Sequence, residues 1–528
     1  MKKTIGWLIA IVAAIATFSL CNYLFLPRVG WSGGMLFIVL TSALVGLGAG
    51  AIYNGIAGEF DYDYDNSIMT AIVGIACGVL VLAIIVSSIA GWTMFHVDEA
   101  RDRLEMTTIS QEELLSKLPE VDADGAYSWA DSKTVKKLAS RKTGELSELI
   151  SIYTIGSSDV STGIKDGKMV KYVPLAYGGY FKANKVKNIP GYIVVDPVSQ
   201  TAEYVECSFI YSPSAYFGED LMRRLRQTYP TASFGSYTFQ VSPDGVPYWV
   251  CELKENHGWF ITETSAVVTL NAKTGECTRY KIGEAPEWVV AIHGTTAVEY
   301  YKSYGSLING YWNMSQVGET SVTNDFGYVV INNQLHYYTG VTSVVLDGGD
   351  ESNLGVLLYN AHTNKAEYCQ IAGAEEYSAM EAAEGVVQNF GYEASFPSLT
   401  NVNGEMTYTM VLKDNNGIVK QYAMVNYVDY TIAVTADTMN ACRAAYAKAL
   451  ANKGVVDADS STVEEISVVV DVIEYIVQGG ETTVYIRDVE GCVYKSAFDE
   501  RFLFVKAGDT LTFNVVDTSS AVKVVVLK

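Results

Sequence analysis

Cys251 and His257 stand six residues apart, close enough along the chain to be weighed as a nucleophile and its base. The remaining histidines are His96, His293, His336 and His362, and no Cys/His cluster has the spacing of a structural zinc site. His-Glu-x-x-His is absent, as are phosphate-binding and dinucleotide glycine loops. Ser/His/Asp sets can be assembled from any chain of this length, and none is singled out as a triad. A core cysteine and a loop histidine are therefore the better reading of the first pair. Two acidic runs offer oxygen ligands to calcium: Asp61, Asp63 and Asp65, and Asp347-Gly348-Gly349-Asp350-Glu351. Neither completes a calcium loop, so both read as solvated turns and the metal question stays open. No catalytic residue, cofactor-binding residue or cofactor is assigned.

The elements that would position any chemistry begin with three apolar runs. Ile5 to about Leu26 is long enough to span the roughly 30 Å hydrocarbon layer. Met35 to about Ala57 carries Gly46, Gly48 and Gly50, which permit close helix approach. Ile68 to about Phe95 gives a third. Lys2 and Lys3 favour an inside N-terminus, so three crossings place residues 97–528 outside. Arg28, Arg101 and Arg103 lean the other way.

Acidic side chains number 59 against 37 basic ones, a formal charge of −22, which argues against general nucleic-acid binding. Six cysteines lie beyond the membrane runs: Cys207, Cys251, Cys277, Cys369, Cys442 and Cys492. They are too scattered for a disulfide scaffold.

After the membrane runs, Ser110 to Glu113 forms a capping box ahead of Leu114, Leu115 and Leu118. A second helix starts near Asp131 and carries Lys133, Lys136, Lys137, Arg141 and Lys142. That basic face reads as solvated, with contact to an anionic surface as the functional alternative.

A strand–turn–strand pattern then occurs three times. Val194-Val195-Asp196-Pro197, Thr269-Leu270-Asn271-Ala272 and Leu358-Tyr359-Asn360-Ala361 each lead through Ser or Thr to Tyr204, Tyr280 and Tyr368. The Asp or Asn side chain is expected to cap each turn, and the tyrosine to cover the sheet. Helices are expected over Ser214 to Tyr229, near Ala297 to Tyr304, over Glu375 to Phe390 and over Thr435 to Leu450. From Ile466 onward, short strands punctuated by Gly479-Gly480 and Ala507-Gly508-Asp509 read as a small closed barrel.

The fold class expected is thus α+β: three N-terminal transmembrane helices, a β-rich ectodomain of duplicated hairpin–helix–hairpin units, and a small C-terminal OB-like β-barrel. Its divisions are 1–96 for the membrane domain and 97–180 for a helical stalk and lead-in. The first α+β unit takes 181–290, the second and third take 291–453, and the barrel takes 462–528.

Four stretches carry a family resemblance: Tyr172 to Tyr177, Ile189 to Pro197, Tyr211 to Phe217, and Gly373 to Met380. Through them the chain resembles a family of uncharacterised membrane-anchored proteins of low-GC Gram-positive bacteria, over roughly residues 100–528. In layout alone its units also look like PepSY-type domains. The resemblance implies no activity. The expected protein is a multi-pass membrane protein of the cell envelope with an extracytoplasmic domain that binds or scaffolds, more a non-enzyme than an enzyme. The alternatives are a cell-wall or peptide hydrolase and an accessory subunit of a transport or secretion complex. Its expected partners are other envelope or membrane proteins and cell-wall polymer, with no nucleic acid.

Overall fold

The computed structural model describes residues 2–30, 32–56, 75, 78–79, 81–83, 85–86, 88–121, 130–146, 149, 151–155, 160–257, 261–323, 325–344, 352–415, 417–452, 463–478, 481–498, 500–516 and 522–526. They fall into two compact units, Met1–Asp437 and Thr438–Lys528.

Two helices open the first unit, Lys2–Phe25 and Gly33–Ile56. Each contains a 21-residue apolar stretch, Ile5–Phe25 and Gly33–Tyr53. At 1.5 Å per residue these reach about 31 Å, the depth of a hydrocarbon layer. Leu8, Ile11, Ile15 and Leu24 are exposed on their surface, as side chains facing lipid would be. The helices pack closely where Gly46 and Gly50 meet Gly6, Ala10 and Ala14. A Cβ at Gly46 would come within 2.8 Å of the Ala14 Cβ.

Expectation and structure part at the third run. Part of Ile68 to Phe95 lies outside the described residues. Its described part includes a shorter apolar helix, Val81–Ala90, before the one-turn helix Thr93–Phe95. Ten residues make about 15 Å, half of what a crossing needs. Among the described residues two helices, not three, are long and apolar enough to span.

Four sheets follow in the first unit, antiparallel but for one parallel edge strand in the third. The first holds Tyr153–Ile155, Ser161–Lys165, Lys168–Tyr177, Ile189–Val195 and Ala202–Phe209. The second is a meander of Ser233–Val241, Pro247–His257, Ile261–Asn271 and Cys277–Lys281. These two share one core with the helices Ser132–Glu145 and Leu221–Thr228, centred on Tyr172, Phe239, Trp249 and Leu225.

The third sheet has six strands, among them Gln334–Ser343, Ser352–Asn360 and Lys365–Ala374. Glu105–Ile109 joins its edge in parallel to Lys365–Ala374. The fourth is built on Ser398–Val402, Glu405–Lys413, Val419–Asn426 and Ala433–Ala436. Sheets three and four share a core with Gln111–Lys117 and Glu376–Val386. The helix Gly294–Leu307 covers the other face of the third sheet. The segment read as a stalk therefore feeds both cores, with Leu114 and Leu118 in one and Val135 and Ala139 in the other.

The turn chemistry is present at all three expected sites. Asp196 Oδ1 accepts from the amides of Val198 and Ser199 at 2.8 and 3.1 Å. Asn271 Oδ1 accepts from Lys273 and Thr274 at 2.9 and 3.1 Å. Asn360 Oδ1 accepts from His362 and Thr363 at 2.8 and 3.0 Å. The larger plan of duplicated hairpin–helix–hairpin units is not the fold. The sheets differ in strand number, with five, four, six and five strands, and only in the first does a helix, Tyr180–Val186, separate two hairpins. The repeated residues mark a tight turn, and a turn does not dictate how many strands gather around it.

Two hairpins share a further device. A Cβ at Gly191 would strike the Val205 carbonyl at 2.2 Å and the Tyr204 ring at 2.9 Å. One at Gly355 would strike the Cys369 carbonyl at 2.4 Å and the Tyr368 ring at 2.6 Å. Both glycines sit at a register shift. Half-buried Tyr204 and Tyr368 thus lie over bare backbone, and Tyr280 packs on the apolar cluster of Val250, Val267 and Val289.

In the second unit, the helix Met439–Asn452 precedes five strands closed into a barrel. Val463–Gln478 pairs with both Glu481–Asp488 and Thr510–Val516, while Val493–Ala497 runs parallel to Val522–Val526. Among the described residues, three spans and duplicated units are thus replaced by two helices of spanning length and four open sheets of unequal plan, while the barrel expected as OB-like is a closed one of five strands.

Candidate functional site

The residues that come together around an open space lie where the first unit meets its own spans. Asp220 starts the helix Leu221–Thr228 by accepting from the Arg223 amide at 2.8 Å. Leu221 and Leu225 face the core, which turns Arg223, Arg224 and Arg226 to the other side. Arg223 Nη1 donates to the Tyr23 carbonyl at 2.8 Å, and its guanidinium lies 4.1 Å from the Tyr23 ring centroid. Arg226 Nε donates to the Leu26 carbonyl at 3.2 Å, and its Nη1 to Ala232 at 2.6 Å. The Val29 amide donates to the Pro230 carbonyl at 2.8 Å. Three hydrogen bonds therefore tie the end of the first span to the large domain.

Beside this clamp is a cleft of about 860 Å³, lined by Arg28, Lys254, Glu255 and Arg279 among others. Gly33 and Gly34, the first turn of the second span, form one wall. Three cations and one carboxylate line it, in a chain whose net charge is −22. Arg279 Nη2 stands 3.9 Å from Glu255 Oε1, a loose contact that leaves the cation accessible. Burial lowers the Arg226 pKa, and the nearby Arg28 charge lowers it further. Lys254 Nζ lies 3.8 Å from Glu252 Oε2, so two of the three cations have a carboxylate within 4 Å.

No histidine, cysteine or aspartate lines the cleft among the described residues. Gly30-Trp31-Ser32-Gly33-Gly34 does have the spacing of a hydrolase nucleophile elbow. Ser32 nevertheless acts as a helix cap. Its Oγ donates to the Arg28 carbonyl at 3.0 Å and accepts from the Met35 amide at 3.3 Å. An elbow serine would follow a strand; this one follows a membrane helix.

The other sequence candidates disperse. Cys251 and His257 lie on one strand, six residues or roughly 20 Å apart along it. Cys251 is fully buried, and burial pushes its thiol pKa far up, which suits a core cysteine. His293 Nδ1 accepts from the Thr295 amide at the start of its helix, and buried His362 contacts the Val289 carbonyl at 3.0 Å. Asp61, Asp63, Asp65 and Asp347 to Glu351 lie outside the described residues. Among those that are described, no group of His, Cys, Asp or Glu has the arrangement of a metal site. The basic helix Ser132–Glu145 keeps Lys133, Lys137 and Arg141 exposed.

Motif reading missed the cleft because Arg28, Lys254 and Arg279 are more than twenty residues from one another. The only sequence signal was Arg28 itself, a cation next to a span. No protein-family model matches the chain, and no curated protein matches it.

Proposed function

We propose that this membrane-anchored protein works as a non-enzymatic binding or scaffolding component of the cell envelope. Two apolar helices of spanning length carry a large non-membrane domain, which is the general class of the molecule. The observation that carries the reading is the clamp of Arg223, Arg226 and Val29, which holds that domain against the end of its span. A surface held in this way presents fixed features to neighbours. One is an exposed aromatic group of Tyr180, Phe181, Tyr216 and Phe217, with ring centroids 5.3 to 5.9 Å from Tyr180. Partners are other envelope or membrane proteins, with cell-wall polymer as a further ligand; the proposed outward orientation rests no longer on a count of three spans but on the clamp, which holds the large domain at the end of the first span opposite Lys2 and Lys3. The resemblance to uncharacterised membrane-anchored envelope proteins agrees with this reading.

Cross-linking followed by affinity capture of the tagged full-length protein from native membranes should return a defined envelope partner. Loss of that partner in a Phe181→Ser/Phe217→Ser variant would place it on the aromatic surface. Capture of nothing beyond the protein itself would count against scaffolding. Protease added to wall-stripped cells should digest the large domain, and digestion only in inverted vesicles would reverse the orientation.

A further inference from the structure

We propose that the aromatic group of Tyr180, Phe181, Tyr216 and Phe217 seats in the interfacial layer of the bilayer, beside the span to which the domain is clamped. The direction of the helix Leu221–Thr228 carries the inference. Arg223 bonds the Tyr23 carbonyl, Arg226 the Leu26 carbonyl, and the Pro230 carbonyl the Val29 amide. The partners advance in the same order on both sides, and three helical residues advance about 4.5 Å. The helix therefore runs alongside the end of the first span in the same sense, out of the membrane. Its N-terminal end is the end nearer the hydrocarbon. Tyr23 belongs to the apolar stretch Ile5–Phe25, so Arg223 already stands at the level of the last turn of the span. Asp220 caps that end, and the turn Phe217–Glu219 comes immediately before it.

The side chains at that end suit lipid. Phe181 is 86% exposed and Phe217 57%. Phe217 also holds a φ of 55°, a left-handed conformation that bulky side chains rarely adopt. Edge-on ring contacts with Tyr180 gather Phe181, Tyr216 and Phe217 into one patch. Two phenyl rings beside two tyrosine hydroxyls match the boundary of headgroups and acyl chains, apolar on one side and wet on the other. Lys182 and Lys185 stand exposed on the helix Tyr180–Val186, and long basic side chains are common company for rings at this depth. The nearby acids are drawn in, with Asp220 accepting from the Arg223 amide and Glu219 half-buried. A protein partner would have to reach the patch at the depth of the last turn of the span, where lipid already is. The proposal rests on the reading that the domain is held at its span. It requires no protein partner, so failed capture leaves it standing, and failed lipid contact leaves capture untouched.

Photo-cross-linking of the full-length protein in phosphatidylcholine nanodiscs provides the test. The variants are Phe181→benzoylphenylalanine, Phe217→benzoylphenylalanine and Gln227→benzoylphenylalanine, the last exposed at the outer end of the helix. Mass spectrometry counts lipid adducts. Positions 181 and 217 should form them severalfold more than position 227. Equal yields at 217 and 227 would overturn the direction of the helix and the proposal with it. Absence of lipid adducts at 181 and 217, with adducts to another protein in native membranes, would assign the patch to a protein partner instead. Phe181→Ser/Phe217→Ser supplies a second readout. In the same discs its amides over 180–186 and 216–219 should exchange hydrogen severalfold faster than the parent's, with the parent's rate kept elsewhere. Unchanged exchange over those segments would also overturn the proposal.

Discussion

Between the first sheet and the third the fold buries a cation, and between the third and the fourth it buries a carboxylate. Lys171, on the strand Lys168–Tyr177, donates to Thr162 Oγ1 at 2.8 Å, and its Nζ lies 3.7 Å from the Tyr328 ring centroid. Burial lowers its pKa to about 7, although the charge of Asp131 opposes the shift. Glu376, at the start of the helix Glu376–Val386, accepts from the Gly340 amide at 2.6 Å. Burial raises its pKa to about 7, helped by Glu375 and opposed by the Gly340 and Asn353 hydrogen bonds. Tyr408 and Tyr427 crowd the same space. Both groups are held by hydrogen bonds, and neither has a close ion-pair partner, so burial decides the direction of each shift. The comparison teaches that one physical cost gives opposite pH responses, set by the sign of the buried charge.

The largest expected effect comes from Lys171→Met. Between pH about 7 and 10.5 the unfolded chain holds a proton that the fold has released, so Lys171 makes stability rise with pH there. Below about pH 7 the fold bears the full cost of a buried ammonium, roughly 5 kcal/mol. Unfolding midpoints of the full-length variant should therefore gain most on the parent below pH 7, with the gain fading toward pH 10. A gain independent of pH would mean that Lys171 stays charged throughout.

Glu376→Gln should show the mirror image. Between pH 4.5 and about 7 the fold keeps a proton that the unfolded carboxylate has lost, so this group makes stability fall as pH rises. The glutamine variant should gain roughly 3 kcal/mol on the parent above pH 7 and nothing below pH 4.5. Each variant is compared with the parent at the same pH, so half-buried His293 and His336, whose pKa values desolvation lowers, cancel. Parallel rather than crossing profiles would break the contrast between the two cores.

Gly191→Ala and Gly355→Ala test what the sheets share. Each new methyl meets backbone and a tyrosine ring, at a cost of roughly 1–3 kcal/mol in chemical denaturation. If only one variant loses stability, the two bulged hairpins are not equivalent. Smallest are the turn residues. Asp196→Ala, Asn271→Ala and Asn360→Ala should each cost about 1 kcal/mol, through amides left to solvent. Asn426→Ala belongs with them. Its Oδ1 accepts from Val428 and Asp429 at 3.0 and 2.9 Å, which makes a fourth such turn.

That fourth turn shows how far local pattern reaches. Met424-Val425-Asn426 has the apolar lead into a capping side chain, but Tyr427-Val428 lacks the Ala or Pro followed by Ser or Thr that marked the other three. The hydrogen bond needs only the Asn, so the search pattern was narrower than the physics. Local signals served well where the partners are a few residues apart. Ser110 accepts from Glu113 at 3.2 Å, Asp131 accepts from Thr134 at 2.7 Å, and the helix expected near Ala297 to Tyr304 is Gly294–Leu307.

By itself, then, the sequence determined what depends on neighbours in the chain: two spans, helix caps, Asx turns and the excess of acid. Tertiary structure alone decided the rest. Glu105–Ile109 pairs with Lys365–Ala374 across some 260 residues, because an exposed sheet edge accepts any strand of suitable shape and burial. The cleft brings Arg28, Lys254 and Arg279 together in the same way. Lys171 and Glu376 look like ordinary surface residues in the sequence, since the packing that removes their water comes from strands and helices far away along the chain.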